Sequence, residues 1–185
     1  LVDQLTSEQA IALEDKYGAH NYHPLPVVLS KGKGAKVWDV EGKEYFDFLS
    51  AYSAVNQGHC HPKIVNAMME QAQTLTLVSR AFYSDALGVY EKFITKYFGY
   101  DKILPMNTGA EADETALKLC RRWAYDKKGI APDMAKIIVC ADNFHGRTIT
   151  IVSMSTDPDS KASFGPYTPG FEIIPYNDLD ALAKA

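Results

Sequence analysis

The stretch from Leu104 to Lys118 narrows the architecture more than any other, because the short apolar run Leu104-Pro105-Met106 gives way at once to a helix start. Thr108 stands as N-cap with Glu111 three residues on, the capping-box spacing, and Gly109 lets other backbone or a ligand come close to the helix mouth. A strand, glycine turn and helix in succession leave free N–H groups and a positive dipole end that favour an anion such as phosphate. The same residues also read as a self-capped structural helix, since Glu111, Asp113 and Glu114 already place negative charge in its first turns. If an anion binds there, the carboxylates must cap the helix or face away from it.

The second half of the chain keeps this alternation. The helix from Gly109 extends to about Lys128, with Ala112, Ala116, Leu119, Cys120, Trp123 and Ala124 on one face. Lys102 to Met106 is a brief strand candidate before it. Ala135 to Ala141 has the continuous apolar character of a strand covered on both faces, Phe171 to Pro175 forms another strand, and Asp178 opens a further helix. The expected class is α/β, with a parallel-type sheet beginning near residue 100.

The first half is different. Thr6-Ser7-Glu8-Gln9 is a second capping box, opening a helix to Tyr17, and the proline-rich Ala19 to Pro26 is extended loop. Strands are expected at Val27 to Leu29, Ala35 to Val40 and Glu44 to Leu49, the last two forming a hairpin around Glu41-Gly42. Ala51 to Pro62 is irregular. Two amphipathic helices follow, Lys63 to Leu75 and Ser84 to Phe98.

Composition excludes some functions. With 46% hydrophobic residues a core is possible, while a net charge of −4 and the lack of a basic tract give no electrostatic reason to expect nucleic acid or an anionic membrane. Cys60, Cys120 and Cys140 are odd in number and far apart, which suits reduced thiols. No apolar run reaches the roughly 18 residues of a membrane span, and no signal core opens the chain, so it reads as soluble and intracellular. His59-Cys60-His61, with His20 and His23, lacks the spacing of a tetrahedral zinc site, and no metal is expected.

Four side chains have two readings each. Arg147, one of four arginines, follows the strand from Ala135 and can grip a carboxylate with two parallel hydrogen bonds or make an ordinary surface ion pair. Phe144 is either core or a platform for a flat ring. Tyr22 and Tyr52 lie in irregular segments, where ligand contact and loop packing both account for them.

Lys16-Tyr17-Gly18-Ala19-His20-Asn21-Tyr22-His23-Pro24-Leu25-Pro26, Ser53-Ala54-Val55-Asn56-Gln57-Gly58-His59-Cys60-His61-Pro62, Asn107-Thr108-Gly109-Ala110-Glu111-Ala112 and Asn143-Phe144-His145-Gly146-Arg147-Thr148, taken together and in register, closely resemble the ornithine aminotransferase family. The resemblance runs from about residue 16 to the end. It implies the N-terminal part of a fold-type I, class III enzyme that uses pyridoxal 5′-phosphate (PLP). Residues 1–50 would contribute to a small domain with the β-hairpin region, and residues 51–185 would begin the large, mainly parallel α/β/α domain.

Carried over by position, Gly109 and Ala110 would donate to the PLP phosphate and Phe144 would stack on its ring. Arg147 would bind the substrate carboxylate, Tyr22 would hold the α-amino-acid end of ornithine, and Tyr52 would line the same pocket. The implied reaction moves the δ-amino group of L-ornithine to 2-oxoglutarate, giving glutamate 5-semialdehyde and glutamate, in a homodimer. The Schiff-base lysine has no counterpart among these residues, so no catalytic residue is assigned and the chain alone is expected to be inactive. The compartment expected is the cytoplasm, or the mitochondrial matrix after presequence removal. An acetylornithine or 4-aminobutyrate type aminotransferase and a non-catalytic phosphate-binding α/β module are the alternatives.

Overall fold

Alternation along Lys36–Asp39 sets the first sheet: Val37 and Asp39 are 5% and 8% exposed, while Lys36 and Trp38 point to the other face. This strand, β2, lies between β1 (Leu29–Lys33) and β3 (Glu44–Phe46) in an antiparallel sheet. Val37 pairs with Tyr45 and Lys36 with Phe46, as the expected hairpin requires. Gly42, at φ +87°, makes its turn. The buried Asp39 carboxylate is not left bare: it accepts the Lys43 N–H and the Tyr45 hydroxyl, each at 2.8 Å.

The computed structural model describes residues 5–185, in two compact units that meet in sequence at Ser84 and Asp85. In the first, α1 (Ser7–Tyr17) starts with both bonds of its capping box, between Thr6 and Gln9. Ser7 then ties the helix to the hairpin turn, donating its N–H and hydroxyl to the Glu41 carboxylate. β1 begins later than the sequence suggests. Lys31, Gly32 and Lys33 pair with Trp38, Val37 and Lys36, so the reversal falls at Gly34.

Beyond the sheet comes a single helical turn, α2 (Ser50–Ser53), and then α3 (Pro62–Thr74), with Pro62 in the first turn. α2 winds left-handed: Ser50, Ala51, Tyr52 and Ser53 have φ of 48°, 47°, 55° and 70°. For residues with a Cβ this conformation costs roughly 1–2 kcal/mol each, so surrounding bonds must hold it.

The second unit contains α4 (Asp85–Phe98), α5 (Gly109–Asp126), β4 (Ile137–Cys140), α6 (Ile149–Ser153), α7 (Pro158–Lys161), β5 (Phe171–Ile174) and α8 (Leu179–Lys184). β4 and β5 are parallel, with Ile137 opposite Phe171 and Cys140 opposite Ile174. Mixed α/β structure is therefore present. Two expectations need correction. Lys102 to Met106 is irregular, because among the described residues no neighbouring strand supplies its ladder. The Ala135 to Ala141 strand shortens to β4 and is not covered on both faces, since Ile138 is 39% exposed. The deepest burial among the described residues lies in α6 and the residue after it, at Ile151, Val152 and Met154, and Ala135 and Ile174 of the same unit are buried as well. No helix among the described residues is long and apolar enough to cross a membrane.

Candidate functional site

At the start of α5 the donors are divided between two uses. Thr108 Oγ1 accepts the Glu111 N–H at 3.1 Å, and the Glu111 carboxylate turns back to accept the N–H groups of Asn107 and Thr108 at 2.9 and 3.1 Å. This is the expected capping box, extended by one donor. Among the described residues, the N–H groups of Gly109 and Ala110 make no hydrogen bond. A Cβ placed on Gly109 would meet nothing within 4 Å, so the space beside that residue is open. The Glu111 charge offsets part of the helix dipole. Fixed N–H donors, more than net field, are what the mouth offers an anion.

The other two acids of the first turns face the loop after β4. Glu114 accepts the Thr148 hydroxyl at 2.5 Å, and the Asp113 carboxylate lies 3.5 Å from His145 Nδ1. Between those contacts Gly146, at φ +124°, comes so close to α5 that a Cβ on it would sit 2.8 Å from the Ala110 Cβ. The loop is also tied to its own unit. Asn143 donates its side-chain amide to the carbonyls of Cys140 and Met154, and the Asp142 N–H goes to Thr156 Oγ1 at 2.8 Å.

Together these bonds press the loop 141–148 against the first turns of α5, and that loop carries Phe144 and Arg147. Phe144 is 74% exposed, which removes the core reading of this side chain. Gly109, Ala110, Phe144 and Arg147 are thus gathered on one platform of the second unit. Tyr22 and Tyr52 belong to the first unit. Tyr22 lines a groove between α1 and the loop 18–28, with Ala10, Ile11, Glu14 and Pro24 among its neighbours. Tyr52 stands on α2, 86% exposed.

Sequence reasoning placed the four platform residues in motifs but gave no role to the residues that join them, Gly146, Thr148, His145 and Asn143. A glycine between His145 and Arg147 was the available signal for close approach. The pairings of Glu114 with Thr148 and Asp113 with His145 had none, since each spans more than 30 positions. Chemically, the platform offers two fixed N–H donors, an accessible aromatic face and a guanidinium. Those are the groups suited to an anion, a flat ring and a carboxylate.

Residues 17–184 match the model of the aminotransferase class-III family. The chain is 64% identical over 179 residues to a mitochondrial ornithine aminotransferase of Drosophila ananassae, covering 97% of this chain and 41% of that protein. The ornithine aminotransferase structure of Toxoplasma gondii, whose active site holds PLP at partial occupancy, superposes with a TM-score of 0.96 at 52% identity over 98% of this chain and 43% of that one. An acetylornithine aminotransferase structure from Elizabethkingia anophelis is 66% identical, with a TM-score of 0.82, over 96% of this chain and 43% of that one. The chain therefore spans about two-fifths of the length of the curated relatives it matches.

Proposed function

Because this chain belongs to the aminotransferase class-III family, we propose that the full-length protein is a PLP-dependent ornithine aminotransferase. It would transfer the δ-amino group of L-ornithine to 2-oxoglutarate, with glutamate 5-semialdehyde and glutamate as products. The observation that carries this reading is the pair of open N–H donors at Gly109 and Ala110, with the Phe144 and Arg147 loop clamped beside them. The residues present fit the cofactor. Open donors at a helix mouth suit its phosphate, and an exposed aromatic face suits its ring.

PLP, when bound, supplies the electron sink that amino-acid side chains lack. The work of this chain is to bind and orient. Gly109 and Ala110 would fix the phosphate through backbone donors that need no reorganisation, and Phe144 would set the plane of the ring. Arg147 would take a substrate carboxylate in a bidentate grip, which aligns as well as attracts. Tyr22 and Tyr52 would hold the amino-acid end of ornithine so that its distal amine is the one presented. None of these residues has the covalent role, and the 185-residue chain alone is proposed to be inactive.

The division at residue 50 into small-domain and large-domain portions, and a homodimeric assembly, belong to the same proposal. Relatives named mitochondrial favour the matrix as compartment over the cytoplasm first expected. The 66% identity to an acetylornithine aminotransferase makes donor choice the decisive measurement. Full-length protein supplied with PLP and 2-oxoglutarate should show cofactor absorbance and a higher kcat/KM for ornithine than for N-acetylornithine. Arg147→Lys should raise KM for 2-oxoglutarate or ornithine while cofactor absorbance stays. Equal specificity constants would remove the ornithine preference, and a protein without cofactor absorbance would favour a phosphate-binding module.

A further inference from the structure

We propose that Asp47 and His59 are positioning residues for Tyr52: together they hold the left-handed turn Ser50–Ser53 that presents its ring, and so set how the amino-acid end of the substrate is gripped. The proposal rests on the substrate-binding role given to Tyr52 above. Tyr52 is highly exposed, so packing around its ring does not fix it. Its direction depends on its backbone, and that backbone is in a conformation that residues with a Cβ leave when unsupported.

The support is local and complete. Asp47 Oδ1 accepts the N–H groups of both Leu49 and Ser50, at 3.0 and 2.8 Å, which captures the chain as it enters the turn. Asp47 Oδ2 lies 2.7 Å from His59 Nε2. On the far side, the Val55 N–H closes onto the Ser50 carbonyl at 3.0 Å.

His59 is itself held by the sheet. Its N–H donates to the Gly34 carbonyl at 2.8 Å, and its carbonyl accepts the Gly34 N–H at 2.9 Å. The imidazole rests where Gly32 has no side chain: a Cβ there would come within 2.7–2.9 Å of His59. The Asp47 N–H donates to the Ala35 carbonyl at 2.9 Å. A continuous path thus runs from the β1–β2 turn through His59 and Asp47 to the backbone that carries Tyr52. The Asp47 carboxyl is held below the usual carboxylate range, first by its bond to His59, in keeping with a charge that is fully engaged.

The test uses full-length protein loaded with PLP, and reads KM and kcat for ornithine and for N-acetylornithine. Asp47→Ala should raise the ornithine KM at least fivefold and narrow the discrimination between the two donors, with cofactor absorbance unchanged. Asp47→Asn keeps an oxygen for Leu49 and Ser50 and should recover most of the loss. In the double variant, Tyr52→Ala should add little to Asp47→Ala, because one acts through the other. If Asp47→Ala does not fold, His59→Gln removes the imidazole and keeps the backbone pairing with Gly34, and it should raise the ornithine KM in the same sense. An unchanged ornithine KM in Tyr52→Ala would overturn the substrate role of Tyr52 and this proposal with it. A raised KM in Tyr52→Ala with an unchanged KM in Asp47→Ala or His59→Gln would overturn this proposal alone, as would full additivity.

Discussion

A Cβ built on Gly146 would lie 2.8 Å from the Cβ of Ala110, closer than two such carbons approach in real structures. The loop that carries Phe144 and Arg147 can therefore rest on the mouth of α5 only because residue 146 is glycine, and its φ of +124° requires glycine a second time.

Gly146→Ala should push the loop away from α5. The expected loss is about 1–3 kcal/mol of stability from the clash and the backbone strain. In full-length protein the variant should retain PLP more weakly, read as cofactor absorbance after dialysis. Retention equal to the parent would show that this contact does not shape the proposed cradle.

Thr108 and Glu111 separate capping from charge. Thr108→Ala removes the acceptor for the Glu111 N–H and should cost about 1 kcal/mol, with Thr108→Ser nearly neutral. Glu111→Gln keeps a side-chain oxygen for Asn107 and Thr108 but removes a negative charge near Gly109 and Ala110. Its melting temperature should change little. Its affinity for PLP phosphate should rise by a few tenths to about 1 kcal/mol, the range of a charge at a helix end. Weaker binding would mean that the carboxylate helps the site and does not merely cap it.

Ala51 offers a test of the left-handed turn. Relief of the Cβ penalty is worth roughly 1–2 kcal/mol, and the extra freedom of glycine in the unfolded chain takes back about 0.4–1. Ala51→Gly should therefore be neutral or stabilising by about 1 kcal/mol in urea unfolding. The same change at Ala116, inside α5, should destabilise by roughly 0.5–1 kcal/mol. Equal destabilisation at the two positions would argue that Ala51 is not left-handed in solution.

Acid should loosen the first sheet through Asp39. The Tyr45 hydroxyl, and then the Lys43 N–H, hold its carboxyl below the usual value of about 3.9. A pKa lower in the folded state means that the unfolded chain binds the proton more readily. The stabilisation is present above about pH 4 and is lost as pH falls through the folded value. Asp39→Asn should be less stable near neutral pH and should lose less stability between about pH 4 and pH 2 than the parent. Parallel stability curves for the two proteins would refute this.

Much of the local structure was legible because it depends on neighbours in sequence. The Thr6 and Thr108 capping boxes, the β2–β3 hairpin and the helix that follows Pro62 are set by spacing, turn residues and alternation. The residues proposed to meet cofactor and substrate were also readable as motifs, though not as a site. Which donors stay open was not legible. It follows from the Glu111 side chain turning back onto Asn107 and Thr108, one of several rotamers open to it.

Tertiary structure decided the rest, wherever the outcome depended on partners distant in the chain. Lys102 to Met106 has strand-like residues but no strand beside it among the described residues, and an unpaired strand leaves its backbone donors unmet. Ile149 to Met154 is a short apolar run, and it holds the most buried side chains among the described residues because burial is set by what packs around a segment. The left-handed turn at Tyr52 contradicts the preference of each of its residues, and bonds from Asp47 hold it at its entry. Likewise the junction of α5 with the Phe144–Arg147 loop is made by pairs more than 30 residues apart, Glu114 with Thr148 and Ala110 with Gly146. Sequence determined which groups were available and the local elements that carry them; long-range contacts chose which of those groups face one another.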